Sequence, residues 1–521
     1  MTIISETVAS EAEAKLFIEQ LVQYARQKLN LDPLDVSDTR NRLLDLFDFA
    51  EPADVQAPPA PEQVQTIVDP LISYGYSIGL IPENTINYRD LLDANIMGLL
   101  LQKPSQVAAA FEAAAASEGI QAATDRFYQL NINSNYIRMD RIAKNQLWLH
   151  PTDYGKLEIT INLSKPEKDP KEIALLRTMQ QSHYPKCPLC ADNVGYAGRL
   201  DHPARQNLRI IPLQLQNEDW FFQYSPYVYY NEHSIVFKAK HEPMAITHSS
   251  FARLLDFVES FPHYFIGSNA DLPIVGGSIL SHDHFQAGRH QFPMEKAAEE
   301  AGFTHPQFAD VSCGIVSWPM SVLRIRGASK ADVHRAACYI LDQWRQYSDA
   351  EADVLACSSD GTPHNTITPI ARLTADRKFE IDLVLRNNRT SEEHPDGIFH
   401  PHRQHHHIKK ENIGLIEVMG LAVLPGRLKQ ELEELSVYLT DQAPAAGILK
   451  GSPLEHHAVW LEELRSKHGA SHTAPAAKQL LLSETGDKFL EVLKDAGVFK
   501  RTSEGQRSFR SFLYRIGMQD A

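Results

Sequence analysis

The sequence predicts an α+β protein in which strands occupy the middle of the chain and helices occupy both ends. Residues 1–150 repeat apolar side chains at helical spacing, and Ser10 with Glu13 forms a capping box for the first helix. From 157 to 163 apolar and polar residues alternate, as they do on a half-buried strand. Residues 453–521 return to helical spacing and predict three short helices.

The N-terminal helical region is interrupted by a Pro/Ala-rich linker at residues 51–61. Beyond the linker, helical spacing predicts helices over 88–102 and 106–129. We find no chemical motif in this region of the sequence, and we therefore assign it to packing and oligomer contacts.

The middle of the chain predicts two successive sets of strands and helices. The first set comprises a helix at 171–181, strands at 208–215 and 220–224, a hairpin at 225–241, a helix at 251–261 and a buried strand at 273–280. The second set comprises a strand at 314–326, a helix after Ser329, a hairpin of 365–373 and 378–386, a buried strand at 412–424 and a helix at 427–440.

Composition indicates a globular protein with more than one domain. The chain has 521 residues and a formal net charge of -15, which argues against a general nucleic-acid or membrane-surface binder. No apolar run has the length of a membrane span, and the N-terminus lacks the pattern of a signal peptide. Five cysteines with one close pair do not make a disulfide framework. We expect a cytoplasmic protein.

The most informative stretch is Gly-Gly-Ser-Ile-Leu-Ser-His-Asp-His-Phe-Gln, residues 276–286. If the strand continues through it, alternation places His282, His284 and Gln286 on one face. Two imidazoles and an amide beside glycines suit a reaction site, because a neutral imidazole can attack phosphorus and glycines let phosphate approach backbone N–H groups. The alternative from the residues alone is a pair of solvent-facing histidines at a strand end.

This string resembles the active-site strand of the histidine-triad superfamily in its transferase branch. The longer string from 273 to 286 is similar to class II galactose-1-phosphate uridylyltransferases. Class I enzymes have His-Pro-His-x-Gln, so Asp283 departs from class I and agrees with class II. The resemblance implies two histidine-triad-like antiparallel-sheet halves with helical additions. The corresponding regions are 1–150 (helical), 151–300 (first half), 301–440 (second half) and 441–521 (helical).

The resemblance implies that His284 is the nucleophile of a ping-pong reaction. It would take the uridylyl group from UDP-glucose, release glucose 1-phosphate, and pass the group to galactose 1-phosphate to give UDP-galactose. The implied partners are UDP-sugars, hexose 1-phosphates and a second copy of the chain in a homodimer, with no organic cofactor. Two alternatives stay open: a nucleotide phosphorylase of the same superfamily, and a non-catalytic metal-binding protein.

Gln286 stands where histidine-triad hydrolases have a third histidine. Its amide can donate to a phosphate oxygen but cannot act as a general acid or base, which suits an enzyme that protects its intermediate from water. A structural Gln bonded to the backbone is the alternative. Candidate substrate-binding residues around it are Gly276, Gly277, Ser278, Ser281 and Arg289.

Cys187 and Cys190 form a C-x-x-C pair that suits a zinc site, a redox dithiol or two cysteines without special chemistry. The family resemblance favours structural zinc, with His241 and His282 as the remaining ligands. His233 is an alternative to His241.

Six histidines crowd residues 394–407: His394, His400, His402, His405, His406 and His407. A second metal site, a substrate loop and an exposed polar loop are the three interpretations that the sequence leaves open.

Overall fold

Helices and antiparallel strands build two units in the computed structural model, which describes residues 9–54, 58–163, 182–277, 279–441 and 451–521. The first unit comprises Met1–Asp140, Glu167–Val228 and Glu232–Glu242. The second comprises Arg141–Pro166, Tyr229–Asn231 and Pro243–Ala521. The predicted α+β class with antiparallel sheets is confirmed.

The first unit is mainly helical, as the N-terminal sequence predicts. Ser10 and Glu13 form the expected capping box, and the buried faces of the first helices share one apolar core. The predicted helix at 106–129 is two helices, because Gly119 adopts a φ of 96° that interrupts the helical backbone. The helices are α1 (Glu11–Lys28), α2 (Val36–Leu46), α3 (Gln65–Ser77), α4 (Ile86–Leu100), α5 (Pro104–Glu118), α6 (Ile120–Asn133) and, at the boundary of the units, α7 (Met139–Ile142).

Three antiparallel strands complete the first unit, in the order β3-β4-β5. They are β3 (Ile211–Leu215), β4 (Glu218–Tyr224) and β5 (Ser234–Lys238). The prediction of a hairpin within 225–241 is wrong for the first of its two strands. The second strand is β5, which pairs with β4, and residues 225–233 form the turn between β4 and β5.

The second unit contains a small and a large sheet. The small sheet has the order β1-β2-β13, from β1 (Gln146–Thr152), β2 (Gly155–Ile161) and β13 (Leu421–Leu424), the last pairing parallel to β2. The large sheet has antiparallel neighbours in the order β14-β8-β9-β10-β12-β11-β6-β7. Its strands are β6 (Phe265–Gly267), β7 (His284–Gly288), β8 (Glu299–Thr304), β9 (Ser312–Val316), β10 (Val322–Gly327), β11 (Asn365–Leu373), β12 (Phe379–Asn387) and β14 (Gln519–Asp520).

Helices cover the second unit, and the three predicted near the C-terminus are present. Buried residues of β2, of the 413–439 segment and of the C-terminal helices share one apolar core. The helices are α8 (His248–Ser260), α9 (Pro293–Lys296), α10 (Lys330–Arg345), α11 (Leu415–Val418), α12 (Leu428–Val437), α13 (Ala458–His468), α14 (Ala474–Ala496) and α15 (Ser503–Arg515). Among the described residues, no helix combines the length and apolar character needed to cross a bilayer.

Three strand predictions in the second unit are corrected. Residues 273–280 form turns and coil where described, and the strand begins at His284. Residues 314–326 form two strands, the end of β9 and β10, joined by a turn. Residues 412–424 contain α11 before β13, because Gly420 at φ 100° turns the chain between them. The predicted helix at 171–181 lies outside the described residues.

Candidate active site and metal centre

His284 is the first residue of β7 and lies inside the large sheet. It is 6% exposed, and its neighbours on the strand pair with β6 in the register Ile266↔Ala287 and Gly267↔Gln286. The sequence Phe-Gln-Ala-Gly after His284 thus forms a short buried strand that fixes the direction of the imidazole.

One hydrogen bond determines which nitrogen of His284 carries the proton. Its Nδ1 lies 2.8 Å from the backbone oxygen of His282, and because a carbonyl only accepts, Nδ1–H is the donor. The neutral ring then has its lone pair on Nε2. Burial lowers the pKa of His284, outweighing the hydrogen bond to His282 that raises it, so the ring stays neutral at physiological pH. A buried imidazole with a defined lone pair can act as a nucleophile.

His282 precedes β7, so the expectation that it shares a strand face with His284 and Gln286 is corrected. It is fully buried, and its backbone oxygen orients the His284 ring. The intervening Asp283 is also buried and lies 3.5 Å from Arg253 of α8, measured from Oδ2 to Nη1. That ion pair ties the segment before β7 to the helix that packs on it.

Residues 273–275 form a turn that ends at Gly276, the Gly276 turn, and the two glycines of the motif pack closely against neighbouring groups. A Cβ on Gly276 would lie 2.6 Å from the carbonyl oxygens of Ala270 and Leu272, and one on Gly277 would lie 2.6 Å from Nδ2 of Asn269. Close packing therefore explains both glycines, independently of any phosphate.

Two asparagines hold this turn, and the sequence analysis did not identify either. Asn412 Nδ2 donates to the Gly276 oxygen at 3.3 Å, and Asn269 Oδ1 accepts from the backbone N–H of Leu415 at 2.8 Å. Asn412 opens the string Asn-Ile-Gly-Leu at residues 412–415. No signal in the residue itself pointed to the contact.

The other predicted substrate-binding residues differ in burial. Gln286 and Arg289 are half-buried, whereas Ser281 is exposed. Arg289 follows β7, and its backbone oxygen accepts from Asn231 Nδ2 at 3.0 Å. Ser278 lies outside the described residues.

Three of the predicted metal ligands lie together in the first unit. Cys187 Sγ is 3.5 Å from Cys190 Sγ, which is 3.1 Å from His241 Nδ1, and all the ligand atoms are within 4.8 Å of one another. The contact to Cys190 is made by His241, the ligand that the resemblance implies. Asn193 Nδ2 donates to the carbonyls of both cysteines at 2.8 Å and so holds the backbone of the C-x-x-C segment.

Two thiols and an imidazole at these separations fit zinc. Burial first, and the neighbouring Cys190 next, raise the pKa of Cys187 to about 11, so this thiol keeps its proton unless a cation stabilises the thiolate. The donor set therefore favours a metal centre over a reactive dithiol. The fourth predicted ligand, His282, belongs to the second unit.

The six histidines of residues 394–407 do not converge on one point. His394 stacks on His402, whose Nδ1 lies 3.3 Å from Asp495 Oδ1. His400 Nε2 lies 3.2 Å from Asn412 Oδ1, which links this segment to the Gly276 turn. His407 packs against His457 and Trp460 of the C-terminal region. Within the described chain, the cluster is distributed over separate polar contacts.

Comparison with known proteins identifies relatives over almost the whole chain. Family models for the N-terminal and C-terminal domains of galactose-1-phosphate uridyl transferase match residues 31–243 and 257–448. The galactose-1-phosphate uridylyltransferase of Caldanaerobacter subterraneus subsp. tengcongensis is 53% identical, with 98% of this chain and 99% of the relative covered. The enzyme of the same name from Halalkalibacterium halodurans is 52% identical, covering 97% and 99%.

A solved structure, that of yeast Ap4A phosphorylase Apa2, also matches. It is 13% identical, with a TM-score of 0.31, and the match covers 65% of this chain and 92% of that chain. A similarity at this TM-score supports no statement about the site.

Proposed function

Because the chain belongs to the galactose-1-phosphate uridylyltransferase family, a family of nucleotidyltransferases, we propose that it transfers a uridylyl group through His284. The observation that carries the proposal is the hydrogen bond from His284 Nδ1, at the start of the buried strand β7, to the carbonyl of the buried His282. It leaves a nucleophilic lone pair on Nε2.

In the first half-reaction, Nε2 of His284 attacks the α-phosphorus of UDP-glucose. A P–N bond forms while the bond from that phosphorus to the oxygen of glucose 1-phosphate breaks, and the electron pair leaves with glucose 1-phosphate. The positive charge that develops on the imidazole is shared with Nδ1–H, which stays bonded to the His282 carbonyl.

In the second half-reaction, a phosphate oxygen of galactose 1-phosphate attacks the same phosphorus. The P–N bond breaks, its electron pair returns to Nε2, and UDP-galactose leaves. Both nucleophile and leaving group are phosphates, so the site needs little general acid–base catalysis, and positioning with charge stabilisation lowers the barrier.

Gln286 contributes an amide donor to a non-bridging oxygen of the transferred phosphoryl group. Arg289 supplies a counter-charge, and Ser281 and Ser278 supply hydroxyl donors. Gly276 and Gly277 keep side chains away from the phosphate. An amide at position 286 cannot remove a proton from water, which protects the uridylyl-histidine from hydrolysis.

Cys187, Cys190 and His241 would hold the proposed structural zinc ion, and the family resemblance adds His282 as the fourth ligand. When bound, zinc would neutralise the two thiolates and restrict the side chains that hold it. His282 would thereby orient the backbone carbonyl that fixes the His284 tautomer. The other partners proposed are UDP-sugars, hexose 1-phosphates and a second copy of the chain, in the cytoplasm.

Intact-mass measurement after mixing the protein with UDP-glucose alone tests the proposal. We expect a mass increase of one uridylyl group that galactose 1-phosphate reverses and that is absent in His284→Ala. His290→Ala is the matched control, because His290 follows β7 and bonds to Glu158. An adduct that persists in His284→Ala would overturn the assignment of the nucleophile.

A further inference from the structure

A cavity of about 630 Å³ lies in the second unit between the histidine-rich segment and helices α13 and α14. Its wall includes Arg403, Arg427, Lys488, His407, Trp460 and Glu463. A volume in this range accommodates a small organic ligand.

The lining is cationic although the chain as a whole carries a net charge of -15. Two arginines and one lysine line the cavity with one acid, Glu463, which lies 3.2 Å from Lys488. Arg427 and Arg403 pair with Glu431 and Asp396, which are outside the lining. The guanidinium of Arg427 is held in place, since its Nη2 donates to the His407 carbonyl at 3.1 Å. Guanidinium groups match the geometry of phosphate oxygens.

Two buried nitrogens of the wall point to a ligand independently of charge. Trp460 is 2% exposed and His407 is 9% exposed, and neither Trp460 Nε1 nor His407 Nε2 has a hydrogen-bond partner among the described residues. Both nitrogens are closed to the cavity as the side chains stand. A buried indole N–H without an acceptor costs free energy that a ligand oxygen would recover once the ring turns toward it. Burial and the neighbouring His457 lower the pKa of His407 to about 3, so His407 is neutral at physiological pH.

A metal ion is the competing occupant, because ligand atoms of Glu431, His456 and His457 lie within 4.8 Å of one another beside the cavity. The guanidinium of Arg427 lies against these side chains. It donates to Glu431, and its Nη1 lies 3.2 Å from His456 Nε2. A fixed positive charge among the ligands disfavours a divalent cation and favours an anion in the adjoining cavity.

We propose that this cavity binds a phosphate ester at a site separate from His284. The phosphate lies among Arg403, Arg427 and Lys488, and the organic group packs on the Trp460 ring, with an ester oxygen accepting from Nε1. A sugar phosphate and a nucleoside monophosphate share this chemistry.

The cavity wall reaches the Gly276 turn through a chain of hydrogen-bond contacts. His406 Nε2 lies 2.8 Å and His400 Nδ1 lies 3.2 Å from the Pro401 carbonyl, and His400 Nε2 contacts Asn412, which donates to Gly276. Residues of the histidine-rich segment therefore connect the cavity wall, through hydrogen bonds, to the turn that precedes His284 in the chain.

Isothermal titration of the full chain with glucose 1-phosphate, and separately with UMP, tests the proposal. We expect two bound molecules per chain for at least one ester, and Trp460→Phe or Lys488→Gln to weaken one of the two sites about tenfold. Lys494→Gln on the same helix is the matched control, because Lys494 also pairs with a glutamate. Unfolding midpoints equal to that of the parent protein would show that the variants fold.

At the site that Trp460→Phe weakens, the ester that binds more tightly, glucose 1-phosphate or UMP, identifies the organic group of the ligand. Unchanged stoichiometry and affinity in both variants would overturn the proposal, and so would zinc uptake that requires His457. A parent protein that binds one ester per chain, lost in Trp460→Phe, would support the cavity while counting against substrate binding at His284. The titration can therefore contradict ester binding in the cavity without contradicting uridylyl transfer through His284, and the reverse.

Discussion

His284 and His282 act as a pair through a backbone contact. The side chain of one residue donates to the carbonyl of the other, so the chemistry of the imidazole depends on where the chain enters β7. A substitution at position 282 is therefore expected to disturb the tautomer through the backbone, in addition to any loss of a metal ligand.

Replacing Gln286 with histidine adds an acid–base group beside the intermediate. We expect hydrolysis of UDP-glucose to rise on the order of 10²-fold relative to transfer, because an imidazole can accept a proton from attacking water. The measurement is the ratio of free UMP to UDP-galactose formed. Gln291→His, at an exposed residue bonded to Glu295, is the control. An unchanged ratio in Gln286→His would remove the role given to the amide.

Replacing Gly276 with alanine places a methyl group 2.6 Å from two carbonyl oxygens. The turn must move, and the misplaced site should lose on the order of tenfold to a hundredfold in the rate of His284 uridylylation. Rapid-quench measurement of glucose 1-phosphate release provides the rate. In Gly302→Ala the nearest atom lies at 3.4 Å, so that variant should react at the parent rate. Equal rates for the two variants would contradict the packing argument.

Replacing Cys187 with serine removes one thiolate from the proposed metal centre. We expect zinc content to fall from about one ion per chain toward zero, because a hydroxyl is a poor zinc ligand. Elemental analysis measures the content, and Cys338→Ser, which removes a buried cysteine of α10, is the control. Parent protein purified without any bound metal would end the zinc hypothesis.

The hairpin of β11 and β12 contains buried charged residues that form ion pairs within the sheet. The sequence predicts this hairpin from its alternation, and the structure confirms it, but every residue of β12 is buried. Asp382 lies opposite Arg324 of β10 and accepts from its Nε at 2.7 Å, and Arg372 of β11 bonds to Asp382 as well. Charged residues on neighbouring strands therefore pair across the sheet instead of facing water.

Arg324 and Arg372 share two buried carboxylates, Asp382 and Glu380, and replacing Asp382 with asparagine leaves only Glu380 to balance them. We expect the free energy of unfolding at pH 7 to fall by about 3–5 kcal/mol. Urea denaturation measures it, with Asp376→Asn at the exposed turn of the same hairpin as a control that changes stability little. A parent-like stability for Asp382→Asn would show that Glu380 alone balances the arginines.

The same carboxylate makes stability depend on pH. Burial alone would raise the pKa of Asp382, but Arg372 and Arg324 outweigh it, so the pKa lies below its ordinary value. The unfolded chain then binds the proton first, and the stabilisation present above about pH 4 is lost as pH falls through the lower, folded value. Unfolding free energies from pH 7 to pH 3 should show this loss in the parent protein and a smaller one in Asp382→Asn.

Each of the two units contains an apolar core among its described residues. The predicted regions 1–150, 151–300, 301–440 and 441–521 follow the order of elements along the chain, and they remain a prediction. We expect a homodimer, and sedimentation equilibrium should give twice the mass of one chain. A monomer mass at micromolar concentration would contradict the expected dimer.

The sequence by itself determined the α+β class, most of the helices and the family, because these depend on local periodicity and on one contiguous string, residues 276–286. The family resemblance also implied Cys187, Cys190 and His241 as metal ligands, and their side chains lie close together in the structure. Only the tertiary structure decided the His284 tautomer, the start of β7 at His284 and the role of Asn412. The His284 tautomer depends on the backbone conformation between His282 and His284, and the other two features depend on contacts between residues distant in sequence. A local sequence pattern encodes neither.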